Sequence, residues 1–527
     1  MSPAKRHAPA SVVAMPPRFR RNIASNYLTT AGSLVIALVT TPLLARGLGP
    51  TQYGVWVLVS TFILYLELLE FGFSRATSNF VAEHEAHGRR DQLVRTLTTS
   101  LYVLAVPGAV AFGVGLGIAG LFPVVFEAEP AVRSAAQLLI VVLAVDLALS
   151  IPADTFGGAL VGLQRFDLLN LTLLGISSAQ AVAWAVVLSM GGGLVALGVV
   201  TTGIGLAGHV ARFLLVRRLV PELSLARRNF QRSLVRPFAR QSKWFALNDI
   251  ALIARSRLDT VVVGAIVGVP AAGIYGVGQK LALLVERLSE PVVTIFFPYS
   301  AELNARQDQA GLRAAVTLGT RLTLAIAGPL CLVLALLTEP VLELWVGSSF
   351  TAAAPVVVAL AASAAIKSIT YTGALALSGM GQARTPALVL TAEAILNLVL
   401  SIALGLRIGL EGVALATLIA TVVAEAILML PLMCRRLGLP MGGFLWSLAR
   451  AHGLPLALAV MAGHLVGLQP DSLLGLVAAG AAISSTYIGA FFVTGLNREE
   501  RRQLRERMTR RRMSRRSDAP SSDESTH

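Results

Sequence analysis

The chain has 527 residues, of which 55% are hydrophobic and 14% charged, with a formal net charge of +15. A soluble chain of this length would hold about a quarter charged residues, so the composition excludes a sizeable water-soluble domain. Aromatic residues make up 6%, and no nucleic-acid motif accompanies the basic balance, which excludes a nucleic-acid binder.

Residues 1–21 are polar and basic, and no small-residue cleavage site closes the apolar run that follows; they read as a cytoplasmic tail. A helix needs about 20 apolar residues to cross the hydrocarbon of a bilayer. Such stretches occur at 22–45, 53–75, 95–122, 132–163, 168–190, 194–217, 241–266, 271–299, 314–337, 352–378, 386–406, 411–433, 444–467 and 472–495. The fold class is therefore an all-α polytopic membrane protein with about fourteen spanning helices. Pro152 and Pro291 are expected to kink the fourth and the eighth. Residues 496–527 run from arginines into a Ser/Asp/Glu-rich stretch and read as a disordered tail. The two cysteines, Cys331 and Cys434, have neither metal nor disulfide spacing and read as buried filler.

The loops orient these spans. One side collects roughly thirty Lys and Arg residues, and the other has only Arg46, Arg133 and Arg407. By the positive-inside rule both ends lie in the cytoplasm, and most of the net charge is topological.

The chain also resembles itself at an offset of 219 residues, 268 minus 49. Leu48-Gly49 and Gly54-Val55-Trp56 return as Val267-Gly268 and Gly273-Ile274-Tyr275. Glu67 returns as Glu286, and Ala82-Glu83 as Ala301-Glu302. With a two-residue slip, Leu160 and Gly162 return as Leu377 and Gly379. Both copies start from the inside, so the repeat is parallel, with a pseudo-twofold axis along the membrane normal. It divides the chain into a first lobe at 22–217, a basic linker at 218–240, a second lobe at 241–433 and an extra helix pair at 444–495.

No catalytic, metal or cofactor constellation emerges, and the chain reads as a non-enzyme. What emerges is charge inside the membrane, which is costly and marks cavities or partners. On the seventh span Arg255 and Asp259 share a face and read as cavity-lining, with Arg257 pointing elsewhere; an Arg255–Asp259 pair at i,i+4 that neutralises itself is the alternative. On the eighth, Glu286 and Glu290 share one face and Lys280 and Arg287 another, and a ladder between Arg287 and these glutamates is equally open. Glu67 and Glu70 lie together on the second. Asp146, Asp154, Lys367, Glu393 and Glu425 are further deep charges, and Arg212 and Arg321 are shallower.

Several runs resemble a known family. They are Leu43-Leu44-Ala45-Arg46-Gly47-Leu48-Gly49-Pro50-Thr51-Gln52-Tyr53-Gly54, Leu69-Glu70-Phe71-Gly72-Phe73-Ser74-Arg75, Arg257-Leu258-Asp259-Thr260 and Gly273-Ile274-Tyr275-Gly276-Val277-Gly278-Gln279-Lys280. Over roughly residues 20–435 the chain resembles Wzx-type polysaccharide flippases of the multidrug/oligosaccharidyl-lipid/polysaccharide exporter superfamily. The resemblance implies two six-helix lobes around a cationic cavity in the bacterial cytoplasmic membrane. It implies flipping of polyprenyl-diphosphate-linked oligosaccharide for surface polysaccharide, by alternating access. In that reading Arg255, Arg257, Lys280 and Lys367 bind the diphosphate. Asp259, Glu67, Glu70, Glu286 and Glu290 are the coupling or cavity carboxylates, and the coupling partner is a proton or sodium ion. Glycan-assembly proteins are expected partners. A MATE-type antiporter and a lipid II flippase are the alternatives.

Overall fold

The computed structural model describes residues 17–467 and 470–496, with the side chains of 17–24, 27, 241 and 243–257 left aside. The helices in chain order are α1 (Pro17–Glu67), α2 (Phe73–Ala86), α3 (Arg90–Val125), α4 (Pro130–Gly162), α5 (Phe166–Ser189), α6 (Leu194–Leu219), α7 (Arg232–Ile266) and α8 (Val269–Thr294). They continue with α9 (Phe296–Ala305), α10 (Gln309–Leu336), α11 (Thr338–Val346), α12 (Ala354–Gly379) and α13 (Arg384–Thr421). A π-helical stretch (Val422–Met429) leads into α14 (Leu430–Leu437), and α15 (Met441–Val466) and α16 (Leu473–Thr494) follow. No strand occurs among the described residues.

Among the described residues, ten stretches are long and apolar enough to cross a membrane. Two of them are double. Leu28–Glu70 has 43 residues and Arg384–Leu437 has 54, about 64 and 81 Å of helix against a hydrocarbon core of about 30 Å. Each is broken midway, at Gly49 (φ 70°, ψ 173°) and at Ile408-Gly409 (Gly409 φ 65°, ψ −138°). Counting each double stretch as two gives twelve, and α7 and α8, of 35 and 26 residues, are long enough to cross though they are not among the apolar ten. The fold is that of an all-α polytopic membrane protein.

Two element boundaries differ from the hydropathy reading. The second span does not run to residue 75: a 3-10 turn (Leu68–Glu70) ends it, Phe71 (φ 52°) and Gly72 (φ 68°) reverse the chain, and α2 begins. The eighth stops at Thr294, and α9 carries on from Phe296. Hydropathy does not register either break because Leu68-Leu69-Glu70-Phe71-Gly72-Phe73 and Val292-Val293-Thr294-Ile295-Phe296-Phe297 stay apolar through the bend.

The chain forms two compact units, Met1–Arg257 and Leu258–His527. Inside each, the turns recur at the offset seen in the sequence. Gly49 pairs with Gly268 (φ 121°, ψ 165°), a conformation closed to L side chains with a Cβ. Gly88 (φ 66°) pairs with Gln307 (φ 57°) at the same 219 (307 minus 88), and Gln164 (φ 57°) with Gly381 (φ 79°) at 217 (381 minus 164). Each of these turns closes with a six-residue backbone bond of the Schellman type: Arg89 N–H to the His84 carbonyl (2.9 Å), Asp308 to Leu303 (3.0 Å), Arg165 to Leu160 (2.8 Å) and Gln382 to Leu377 (2.9 Å). Helix contacts repeat as well. A Cβ on Gly162 would lie 2.6 Å from the Ser78 carbonyl of α2, and one on Gly379 would strike the Phe297 carbonyl of α9, again 219 residues on.

Gln307 thus holds a left-handed conformation that its counterpart fills with Gly88. A Gln307→Gly variant is expected to gain up to about 1 kcal/mol, since a side chain in this region costs about that much. Thermal unfolding in detergent measures it; an unchanged or lower midpoint would show that the Gln307 side chain compensates for the strain.

The last pair packs against α10. Leu332 and Leu337 meet Ala459, Ala479, Ile483 and Tyr487 in one buried cluster. His452 Nδ1 and the Tyr487 hydroxyl are 2.9 Å apart, and the imidazole stacks on Phe491 at 5.0 Å. Cys434 is buried; Cys331 is half-buried, with its thiol 3.3 Å from the Ala361 carbonyl.

Candidate functional site

Burying a carboxylate in an apolar helix bundle is tolerable only if its oxygens find donors or a counter-charge. Asp259, on α7 and 7% exposed, finds four donors within the second unit. Its Oδ1 accepts from the Asn397 amide (2.9 Å) and the Ser401 hydroxyl (3.4 Å). Its Oδ2 accepts from the Tyr275 phenol (3.0 Å) and the Thr417 hydroxyl (2.9 Å). Ser401 also lies 3.2 Å from Asn397 Oδ1. Three of the four partners are rotatable hydroxyls, and the fourth is the Asn397 amide nitrogen. All four hold the carboxylate by donation, and a hydroxyl can turn to accept instead.

The partners have a common origin in helix geometry. On the first arm of α13, Glu393, Asn397 and Ser401 are four residues apart and fall on one face. On the second arm and the π-helical stretch, Thr417, Thr421 and Glu425 do the same. The break at Ile408-Gly409 folds one arm back on the other. The result is a polar seam with rungs. Above the Asp259 rung, Glu393 Oε1 accepts from Thr421 (3.1 Å) and pairs with the Lys367 ammonium at 3.2 Å. Next, Glu425 Oε2 accepts from Thr370 at 2.6 Å. Glu393 is 4% exposed, and the Lys367 side chain 18%. Lys367 also lies close enough for its charge to act on Asp259. Among the described residues, three carboxylates therefore share this seam with one ammonium.

The other expected site residues are placed as follows. Lys367, expected at the diphosphate, is engaged by Glu393. Lys280 is half-buried on α8. Glu286 and Glu290 lie exposed on α8, and Glu290 approaches Arg287 at 3.8 Å, so the ladder reading holds for that pair but on an open surface. Glu67 is exposed on α1, with Glu70, Asp146 and Asp154 in its surroundings. Glu70 Oε1 accepts the Ser74 backbone N–H at 2.8 Å, satisfying an amide in the first turn of α2. Arg255 and Arg257 have side chains outside the described residues, as does the Arg255–Asp259 pairing.

The first unit carries a network of its own. Arg212, only 8% exposed, donates to Asp154 Oδ1 (3.1 Å) and approaches His209 Nδ1 (3.1 Å). Arg212 is deeper than its place near the end of α6 suggested. Asn397, Ser401, Thr417 and Thr421 were not singled out from the sequence; their spacing of four on otherwise apolar helices was the available signal.

The polysaccharide biosynthesis protein family matches residues 19–304. The uncharacterized membrane protein EpsK of Bacillus subtilis (strain 168) is 22% identical over 515 residues, covering 93% of this chain and 98% of its own. The succinoglycan biosynthesis transport protein ExoT of Rhizobium meliloti (strain 1021) is 23% identical over 378 residues, 69% of each chain. Among solved structures, the lipid II flippase MurJ in an inward closed conformation aligns with a TM-score of 0.69 at 14% identity, covering 90% of this chain and 99% of its own. An inward-facing MATE family multidrug transporter aligns at 0.66 and 14% identity, over 77% and 94%. At these identities the two structures speak for the fold alone.

Proposed function

Because this chain belongs to the polysaccharide biosynthesis protein family, a family of membrane transporters, we propose that it flips a polyprenyl-diphosphate-linked oligosaccharide across the bacterial cytoplasmic membrane for surface polysaccharide. The family match over more than half of the chain carries this reading, and the succinoglycan transport role in the name of one relative supports it. The cargo site opens alternately to the two sides of the membrane while the lipid tail stays in the bilayer.

In this reading Arg255, Arg257 and Lys280 take the diphosphate, for which guanidinium and ammonium groups are the natural ligands. Glu67, Glu286 and Glu290 line the path of the cargo, whereas Glu70 serves α2. Lys367 holds Glu393 and is a counter-charge within the seam. Asp259 is the coupling carboxylate. A proton or a sodium ion bound there replaces the donated hydrogen bonds and favours one conformation over the other, and the transporter spends that difference in moving its cargo.

The test is reconstitution into vesicles with a fluorescent short-chain polyprenyl-diphosphate oligosaccharide. Protection of the glycan from an external glycosidase is expected to depend on the protein. No difference from empty vesicles would overturn the proposal. Efflux of cationic dyes in place of glycan movement would assign the chain to antiport, and rescue of cells depleted of their lipid II flippase would assign it that cargo.

A further inference from the structure

The segment that joins α6 to α7 is pinned rather than loose. Thr98 of α3 donates to the Ser224 carbonyl (3.0 Å), Tyr102 to the Leu225 carbonyl (3.2 Å), and the Gln231 amide donates back to Thr99 Oγ1 (3.0 Å). Phe230 packs edge-on against Tyr102. The first turns of α7 are then held by apolar contact: Phe238 is fully buried, 4.8 Å from Phe80 and 6.2 Å from Phe73, and Leu234 packs on the same cluster.

With that face inward, Arg232, Arg236 and Arg240, each four residues from the next, fall on the opposite side of the helix. They are exposed, and so are Arg227 and Arg228 in the 3-10 turn just before (Arg227–Asn229). None of the five is in an ion pair among the described residues. Three turns elsewhere on the arginine-rich side are balanced: Arg90 pairs with Glu85 (3.0 Å), Arg165 with Asp167 (3.0 Å) and Arg306 with Glu302 (2.6 Å). Topology needs only positive charge on that side. It needs neither a fixed frame nor an amphipathic helix with its charges left open. The segment joins the end of α6 at Leu219 to the apolar stretch from 241, the place in the chain of a loop at the membrane surface, where lipid headgroups lie.

We propose that residues 227–240 form a seat for anionic phospholipid headgroups, with the five guanidinium groups holding their phosphates. An arginine near such a surface strengthens binding about fivefold, and a guanidinium fork fits a phosphate through two parallel hydrogen bonds. The occupant is bilayer lipid and not the transported cargo, because the arginines follow an interfacial helix whose apolar side is already spoken for.

The full chain in nanodiscs of mixed phosphatidylglycerol and phosphatidylcholine supplies the test, with native mass spectrometry counting the lipids retained on release. The parent is expected to keep phosphatidylglycerol in preference to phosphatidylcholine, and the preference to weaken as salt rises. A variant with all five arginines changed to glutamine is expected to lose phosphatidylglycerol affinity at least ~tenfold, while one with five lysines keeps most of it. Gel filtration checks that each variant is folded. Equal retention by parent and glutamine variant, or no preference in the parent, would overturn the proposal. So would displacement of phosphatidylglycerol by a stoichiometric short-chain polyprenyl diphosphate, which would give these arginines to the cargo. A failure to flip glycan leaves this result untouched, since the lipid count does not depend on transport.

Discussion

Asp259→Asn is expected to abolish glycan export while leaving a folded protein in the membrane. The carboxamide is nearly isosteric with the carboxylate. Its Oδ1 still accepts from Asn397 and Ser401, and its amide can donate to the hydroxyls of Thr417 and Tyr275 once these rotate, because a hydroxyl both donates and accepts. The cost to stability should stay within about 2 kcal/mol, the scale of one hydrogen bond to a charged group. What the variant loses is the negative charge that a proton or sodium ion neutralises. Surface polysaccharide in a strain lacking its own flippase measures export, and thermal unfolding of the purified protein measures the fold. Export at the parent's rate would remove Asp259 from the coupling role. A collapse of the unfolding midpoint would mean that the network is structural, and Thr417→Val, which removes a single donor, would then show whether export follows stability alone.

Much of the architecture could be read before any coordinates. The all-α membrane fold followed from apolar length, with twelve of the fourteen expected crossings apolar enough and α7 and α8 long enough, and Gly49 and Gly268 marked the same turn in two halves because the sequence offset and the backbone geometry share one cause. The reversal at Phe71-Gly72 was hidden because hydropathy measures transfer to lipid, and a left-handed residue changes direction without changing polarity. The site was legible in charge and not in partnership. Asp259 and Lys367 stood out because a charge in a bilayer is expensive wherever it sits. Their partners come from residues 138 and 158 positions along the chain for Asp259, and no local pattern encodes such a distance. Neutral Asn, Ser and Thr cost too little in a membrane helix to attract notice singly. Only the ladder 393/397/401 facing 417/421/425 gives them meaning, and that requires the fold at Gly409.

The same reasoning sets what Lys367 does, and Lys367→Met is the variant that exposes it. In the parent, Lys367 and Glu393 neutralise each other at 3.2 Å. Methionine keeps the length of the side chain and removes its charge, so Glu393, 4% exposed, loses its ammonium partner while the Thr421 hydroxyl still donates to it. Breaking a buried ion pair by removing one partner costs about 3–5 kcal/mol. The unfolding midpoint should fall accordingly, and the double variant Lys367→Met with Glu393→Gln should recover most of it, because the charge to be compensated is gone. A cargo ligand behaves differently: Lys367→Met would then leave stability unchanged and weaken glycan binding, and the second substitution would rescue nothing. The double variant also asks whether the seam needs its ammonium beyond neutrality. Among the described residues, Lys367 is a cation whose charge acts on Asp259. If that influence helps to release the coupling ion, the double variant will fold normally and still export slowly, with the coupling ion held longer at Asp259.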